Sequence, residues 1–301
     1  MLSMANQRRA FFIYVRKKMT KNPTTFKEQM NLLKSRNIII DNEDMCLDYL
    51  SSLNYYRLSG YLLPFKIKND EYIPTTFYKI CSIYEFDRRL RILLLEALEE
   101  LELYLRTKLA YNHSHKYGAL GYLEEKNFSS RHNHKKFIDS INKAIDKNKK
   151  TIFIKHHIES KDNNLPLWVL IEILSFGSLS LLFSDLKEKD QKAIDNIGFK
   201  VGYEQLASWL HCLTMLRNRC AHYARLYYHN FDKTPKNDLN KTKIGNTLFG
   251  YIYILKQCYP DKKKWNTKFL ETMVTLLKHY EDYIHLEHIG FPLNWEASLK
   301  N

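Results

Sequence analysis

The sequence predicts an all-α fold, and three observations carry that prediction. Its 301 residues hold only 9 Gly and 7 Pro, too few for a strand-and-turn architecture. Apolar residues recur with helical period over long stretches, most clearly from Phe77 to about Tyr117. Only one segment, YLLPFKIKNDEYIP, reads as a short β-hairpin, turning at Asn69-Asp70.

Taken in order, Met1–Lys21 reads as a basic arm or an extra leading helix. Thr25–Arg36 follows as a helix with Thr24 or Thr25 as its cap, and Asn42–Leu53 as a second short one. In the long helix, Leu90, Leu94, Ala97, Leu98, Leu101, Leu105 and Leu109 form one apolar face at 100° per residue. Glu99, Glu102 and Arg106 share one flank of it. Residues 129–161 carry eight Lys or Arg before Glu159 against two Asp. They read equally as a solvated helix and loop or as a phosphate-contacting lobe. Pro166 opens LPLWVLIEILSFG, expected as one helix ended or closely approached at Gly177. Its single charge, Glu172, must protonate, reach the edge or find a cation. Residues 203–224 form another helix, 239–287 supply two more, and FPLNW marks an extended tail. The segmentation expected is an arm over 1–22, an N-terminal helical subdomain over 23–75, and a main helical domain over 76–301. The main domain includes a basic insertion at about 118–162.

The net charge of +14 suggests a polyanionic partner. An acidic membrane surface would draw only on that charge and on FFIYVRKK, and no apolar run reaches the ~18 residues of a membrane span. Five scattered cysteines without a CxxC suggest a reducing cytoplasm. The histidine pairs of HSH (113–115), HNH (132–134) and HH (156–157) lack carboxylates or cysteines at ligand spacing, so no metal and no cofactor are expected. His211 and His229 read as packing or surface residues.

The segment LRNRCAHYARLYY (216–228) concentrates chemistry. Leu206, Trp209, Leu210, Leu213 and Leu216 form the apolar stripe of its helix, and Arg217 lies only ~20° from Leu206 on an ideal wheel. Arg217 is therefore expected to be partly buried and to need a carboxylate or an anion, with Glu172 and Glu102 the best candidates. His222 lies ~140° further round, so Arg217 and His222 meet only by reaching into a cleft beside the helix or across a dimer. Asn218 and His222 share a face. Attack by a ribose 2′-hydroxyl on its phosphate needs a base, an acid and a cation, which imidazole and guanidinium supply without a metal. His222 is then the acid/base, Arg217 the phosphate clamp or site organiser, and Asn218 the orienting group, with Glu102, Arg106 and Glu172 in support. Arg219, Arg225, Lys135, Lys136, Lys149 and Lys150 are candidate RNA-backbone contacts.

The chain resembles the abortive-infection D/F-type proteins of bacteria, the Abi-like family, within the wider group of HEPN domains. The resemblance rests on TFKEQMNLLKSR, NYYRLSGYLLPF, FDRRLRILLLEALEELELYLRTKLAY, LPLWVLIEILSFGSLSLLF, LRNRCAHYARLYY and GFPLNW, and covers roughly 23–296. It implies an HEPN-like helical bundle and an R-(polar)-x3-H ribonuclease motif at Arg217, Asn218 and His222. It also implies a phage-defence or toxin–antitoxin role, and a homodimer that pairs two motifs. A structured small antitoxin RNA is a further partner it suggests. The alternative is a non-catalytic RNA-binding protein that holds such an RNA.

Overall fold

The computed structural model describes residues 22–68, 71–160, 165–237 and 244–300. The expected basic arm at Met1–Lys21 and the Asn69-Asp70 turn lie outside these residues. The chain divides into two compact units, Met1–Cys81 and Ser82–Asn301.

In the first unit, Thr25 caps helix α1 (Phe26–Lys34) with a full capping box. Its hydroxyl accepts the Glu28 N–H, and the Glu28 carboxylate accepts the Thr25 N–H at 2.7 Å. Asn42 caps α2 (Glu43–Ser52) by accepting the Met45 N–H at 2.9 Å. The two helices pack through buried Met30, Leu33, Cys46 and Leu50. A five-residue helix, α3 (Tyr55–Ser59), and a 3₁₀ turn (Gly60–Phe65) lead to the hairpin strands β2 (Lys66–Lys68) and β3 (Glu71–Tyr72). Strand β1 (Ile38–Ile39) pairs in parallel with β4 (Thr75–Thr76).

The all-α character is set by α4 (Phe77–Tyr117). No Gly or Pro interrupts its 41 residues, which span about 60 Å. It stops at Gly118, whose φ of +82° closes the helix without a Cβ clash. The leucine stripe from Leu90 to Leu109 is buried throughout. Helices α5 (His134–Asn148) and α6 (Ile152–Ser160) make the basic segment.

The LPLWVLIEILSFG run is not one helix. It is α7 (Leu167–Leu170), a 3₁₀ turn (Ile171–Ile173), and an extended step at Leu174-Ser175 before α8 (Phe176–Asp185). Ser175 caps α8 by accepting the Ser178 N–H, so Gly177 lies in the first turn of a helix instead of ending one. The break frees the carbonyls of Ile171 and Leu174, and the buried Arg106 guanidinium takes both.

Helix α9 (Glu188–Gly198) precedes α10 (Tyr203–Ala221), which packs on α8, α9 and α11 (Leu248–Cys258). Its stripe from Leu206 to Leu216 is fully buried. Helix α10 ends three residues earlier than the expected 224. The helical run Lys262–His279 contains a π turn at Trp265–Leu270. The tail is not extended throughout, because Trp295–Leu299 is helical, and the Leu299 carbonyl accepts the Trp265 indole N–H at 2.8 Å.

Candidate functional site

Helix α10 delivers Arg217 and Asn218 in its last turn and stops at His222, whose N–H donates to the Asn218 carbonyl at 2.9 Å. Tyr223 then takes a left-handed backbone, φ 58°, and the Ala224 N–H closes on the Arg219 carbonyl. Tyr228 is left-handed as well, φ 55°. Such a backbone is costly for a residue with a Cβ, so surrounding contacts must hold it.

Those contacts are specific. Asp87 on α4 is fully buried and its carboxylate accepts the Leu226 N–H at 3.0 Å and the Tyr227 N–H at 2.7 Å. Arg91, one turn further along α4, pairs with the same carboxylate. The Arg219 Nε donates to the Arg225 carbonyl at 2.8 Å, and Arg225 donates to the Tyr227 and Tyr228 carbonyls. The Tyr227 hydroxyl accepts the His285 N–H at 2.9 Å and pairs with His288 Nδ1 at 2.9 Å. The segment after His222 is thereby folded back and fixed, while the His222 and Asn218 side chains remain exposed.

Arg217 turns the other way. Its side chain is 37% exposed and its Nε lies 3.6 Å from Glu102 Oε2. The other Glu102 oxygen takes Arg106 Nη2 at 2.5 Å. Glu102 thus sits between two guanidiniums, and Arg106 is fixed on its far side by the carbonyls of the α7–α8 break. A cavity of about 560 Å³ opens here, with Glu96, Glu99, Glu102, Glu172, Arg106 and Arg217 on its walls. Four carboxylates against two guanidiniums make these walls net acidic, although Lys268 pairs with Glu96. An acidic cavity repels a phosphate, so Arg217 is better suited to organising the site than to clamping substrate inside it. His222 is not among the lining residues.

A family model described as Abi-like protein matches residues 48–228, more than half of the chain. The chain belongs to the Abi-like protein family. No curated protein and no solved structure matches it. The match runs from within α2 through α4 to Tyr228, so Asp87, Glu102, Arg106 and the whole of Arg217–His222 lie inside the Abi-like region. Membership links the chain to abortive infection, a phage-defence role.

Of the other site residues expected in this Abi-like protein, Glu172 lies exposed on the 3₁₀ turn and reaches the edge of the Arg217 cavity. Glu102, not Glu172, is the carboxylate paired with Arg217. Lys135 and Lys136 are exposed at the start of α5. Lys149 and Lys150 line a separate cavity of about 680 Å³ between α5 and α6, together with Lys155. Arg219 and Arg225 use donors on main-chain carbonyls, and burial lowers the Arg219 pKa.

The His132–His134 pair has local partners. His132 Nδ1 meets Asp185 at 2.8 Å, its Nε2 meets His134 Nδ1, and His134 Nε2 meets the Leu123 carbonyl. Among the described residues no group of three or more His, Cys, Asp or Glu is disposed to hold a metal ion. Sequence reasoning missed Asp87, Arg91 and Tyr227. Asp87 had left a signal, since it falls three and seven residues before Leu90 and Leu94, on the buried stripe. A carboxylate there must be paired.

Proposed function

We propose that this Abi-like protein is a metal-independent endoribonuclease of the HEPN type, which cuts RNA by attack of a 2′-hydroxyl on the adjacent phosphate. The observation that carries the reading is the split of one motif into a held half and a presented half. Arg217 is paired to Glu102, whereas His222 stands exposed at the helix end on a backbone fixed by Asp87. His222 moves the proton, since an exposed imidazole can both accept and donate one. Asn218, one turn earlier, orients the ring or the substrate, and the Arg106–Glu102–Arg217 chain sets where the helix end lies. His222 stands outside the Arg217 cavity, and a second copy brings an opposing motif to complete the cation set around the phosphate. RNA is the substrate, and the exposed lysines of α5 and α6 hold its backbone at a distance from the acidic cavity.

The test is cleavage of single-stranded RNA in excess EDTA. The reading requires products with 2′,3′-cyclic phosphate ends and no cleavage of an all-deoxy strand of the same sequence. Products ending in a 3′-hydroxyl, or cleavage of the deoxy strand, would refute it. RNA held but never cut by the wild-type dimer would favour the non-catalytic RNA-binding alternative.

A further inference from the structure

A third cavity, of about 590 Å³, adjoins the Arg217 cavity and shares two of its wall residues, Arg106 and Glu172. Its other walls include Tyr111 and Ser114 near the end of α4 and Trp168 on α7. Tyr111 is 59% exposed and Trp168 is 52% exposed, an unfavourable display for two large aromatic rings. The His115 ring lies tilted by 34° against Tyr111 with centroids 3.9 Å apart, and its Nδ1 meets the Tyr111 carbonyl at 2.8 Å. That bond fixes the imidazole and leaves Nε2 for another partner. The Ser114 Oγ is buried without a hydrogen-bond partner. The cavity therefore combines exposed π faces with a carboxylate and an imidazole nitrogen.

We propose that this cavity is a nucleobase subsite, in which an unpaired base of single-stranded RNA stacks on Tyr111 and Trp168. The Glu172 carboxylate and the His115 Nε2 meet its polar edge. The inference rests on the ribonuclease reading for its ligand, and it adds what that reading lacks, a place where a base and not a phosphate is recognised. Three features favour a base over a purely apolar guest. The walls carry polar groups at the edge of the aromatic surface. The volume suits a group of nucleoside size. The shared residues put the cavity directly beside the Arg217–Glu102 pair. A base is uncharged, so the acidic character contributed by Glu172 does not oppose it, unlike a phosphate.

The experiment measures binding of a mixed-sequence single strand of about 12 nucleotides with 2′-O-methyl riboses, by fluorescence anisotropy on the full chain. This strand lacks the attacking hydroxyl, so the result does not depend on whether His222 is catalytic. Replacing both Tyr111→Ala and Trp168→Ala weakens binding about 5- to 150-fold, the range for one stacked base lost. Both side chains are more than half exposed, so the variant keeps its fold, checked by circular dichroism. Trp168→Phe restores most of the affinity lost in Trp168→Ala. An abasic residue scanned along the strand weakens wild-type binding at a defined position, and adds no loss in the double variant. A double variant that binds as tightly as wild type, or a flat abasic scan, overturns the proposal while leaving the cleavage chemistry untouched. Absence of any RNA binding overturns both.

Discussion

Helix α4 carries two acid–arginine pairs of the same spacing, Asp87–Arg91 and Glu102–Arg106, about 22 Å apart along its axis. Both are four residues apart, and both are removed from bulk water. They differ in what fills the remaining hydrogen-bonding capacity of the acid. Asp87 is sealed and spends it on two main-chain N–H groups of the segment after the motif. Glu102 opens onto a cavity and faces a second cation, Arg217. A buried ion pair recovers its desolvation cost only when every lone pair finds a donor. The first pair does so with backbone and becomes a fastener. The second does so with a side chain of the motif and becomes part of a site. Same spacing, different third partner: that difference separates scaffold from chemistry here.

Substitutions that break one pair and spare the other test the comparison. The largest effect is expected from Asp87→Ala, which takes the carboxylate from Arg91 and leaves two backbone donors without their acceptor in the core. Chemical denaturation should show a loss of about 3–5 kcal/mol, with His222 mispositioned as a consequence. If the loss is below about 1 kcal/mol, Asp87 is not a fastener.

A pH titration adds a third buried polar group on the same helix. His113 has neither ring nitrogen hydrogen-bonded, and burial pushes its pKa down to about 4. Its folded pKa is below the unfolded value of ~6.5, so its contribution to stability is complete above that value and declines as the pH falls toward 4. Roughly 3 kcal/mol should be lost between pH 7 and pH 4, and His113→Phe should flatten that part of the profile. An unchanged profile would show that another group sets the acid limb.

Glu102→Gln keeps shape but removes the charge shared by Arg106 and Arg217. Stability should fall by about 1–3 kcal/mol, less than at Asp87 because the cavity admits water, and RNA cleavage should fall with it. Equal stability losses at Asp87 and Glu102 would erase the distinction drawn above. The smallest effect is at Glu172→Gln, an exposed position, where thermal denaturation should move by less than about 0.5 kcal/mol.

Much of this was legible in the sequence because it is local. Thr25, one of the two caps expected, caps its helix, and the stripe Leu90–Leu109 fixes the buried face of α4. The inward position of Arg217 followed from counting turns, and Glu102 was one of the two carboxylates it pointed to. What was not legible depends on distant partners. No Gly or Pro lies within LWVLIEILS to announce the break at Ile171–Ser175; it is stabilised by Arg106, 65 residues earlier in the chain. The end of α10 is equally silent, since Tyr223 adopts φ 58° without being a Gly or Asn. It is held by a return segment pinned to Asp87, 139 residues before Leu226.

The central claim is that a presented imidazole, not the held guanidinium alone, does the chemistry. Single-turnover cleavage of RNA by His222→Ala, set beside its thermal stability, tests it most directly. The account predicts a rate at least ~100-fold below wild type with an unchanged melting temperature. A variant that melts like the wild type and still cuts RNA at the wild-type rate would contradict it.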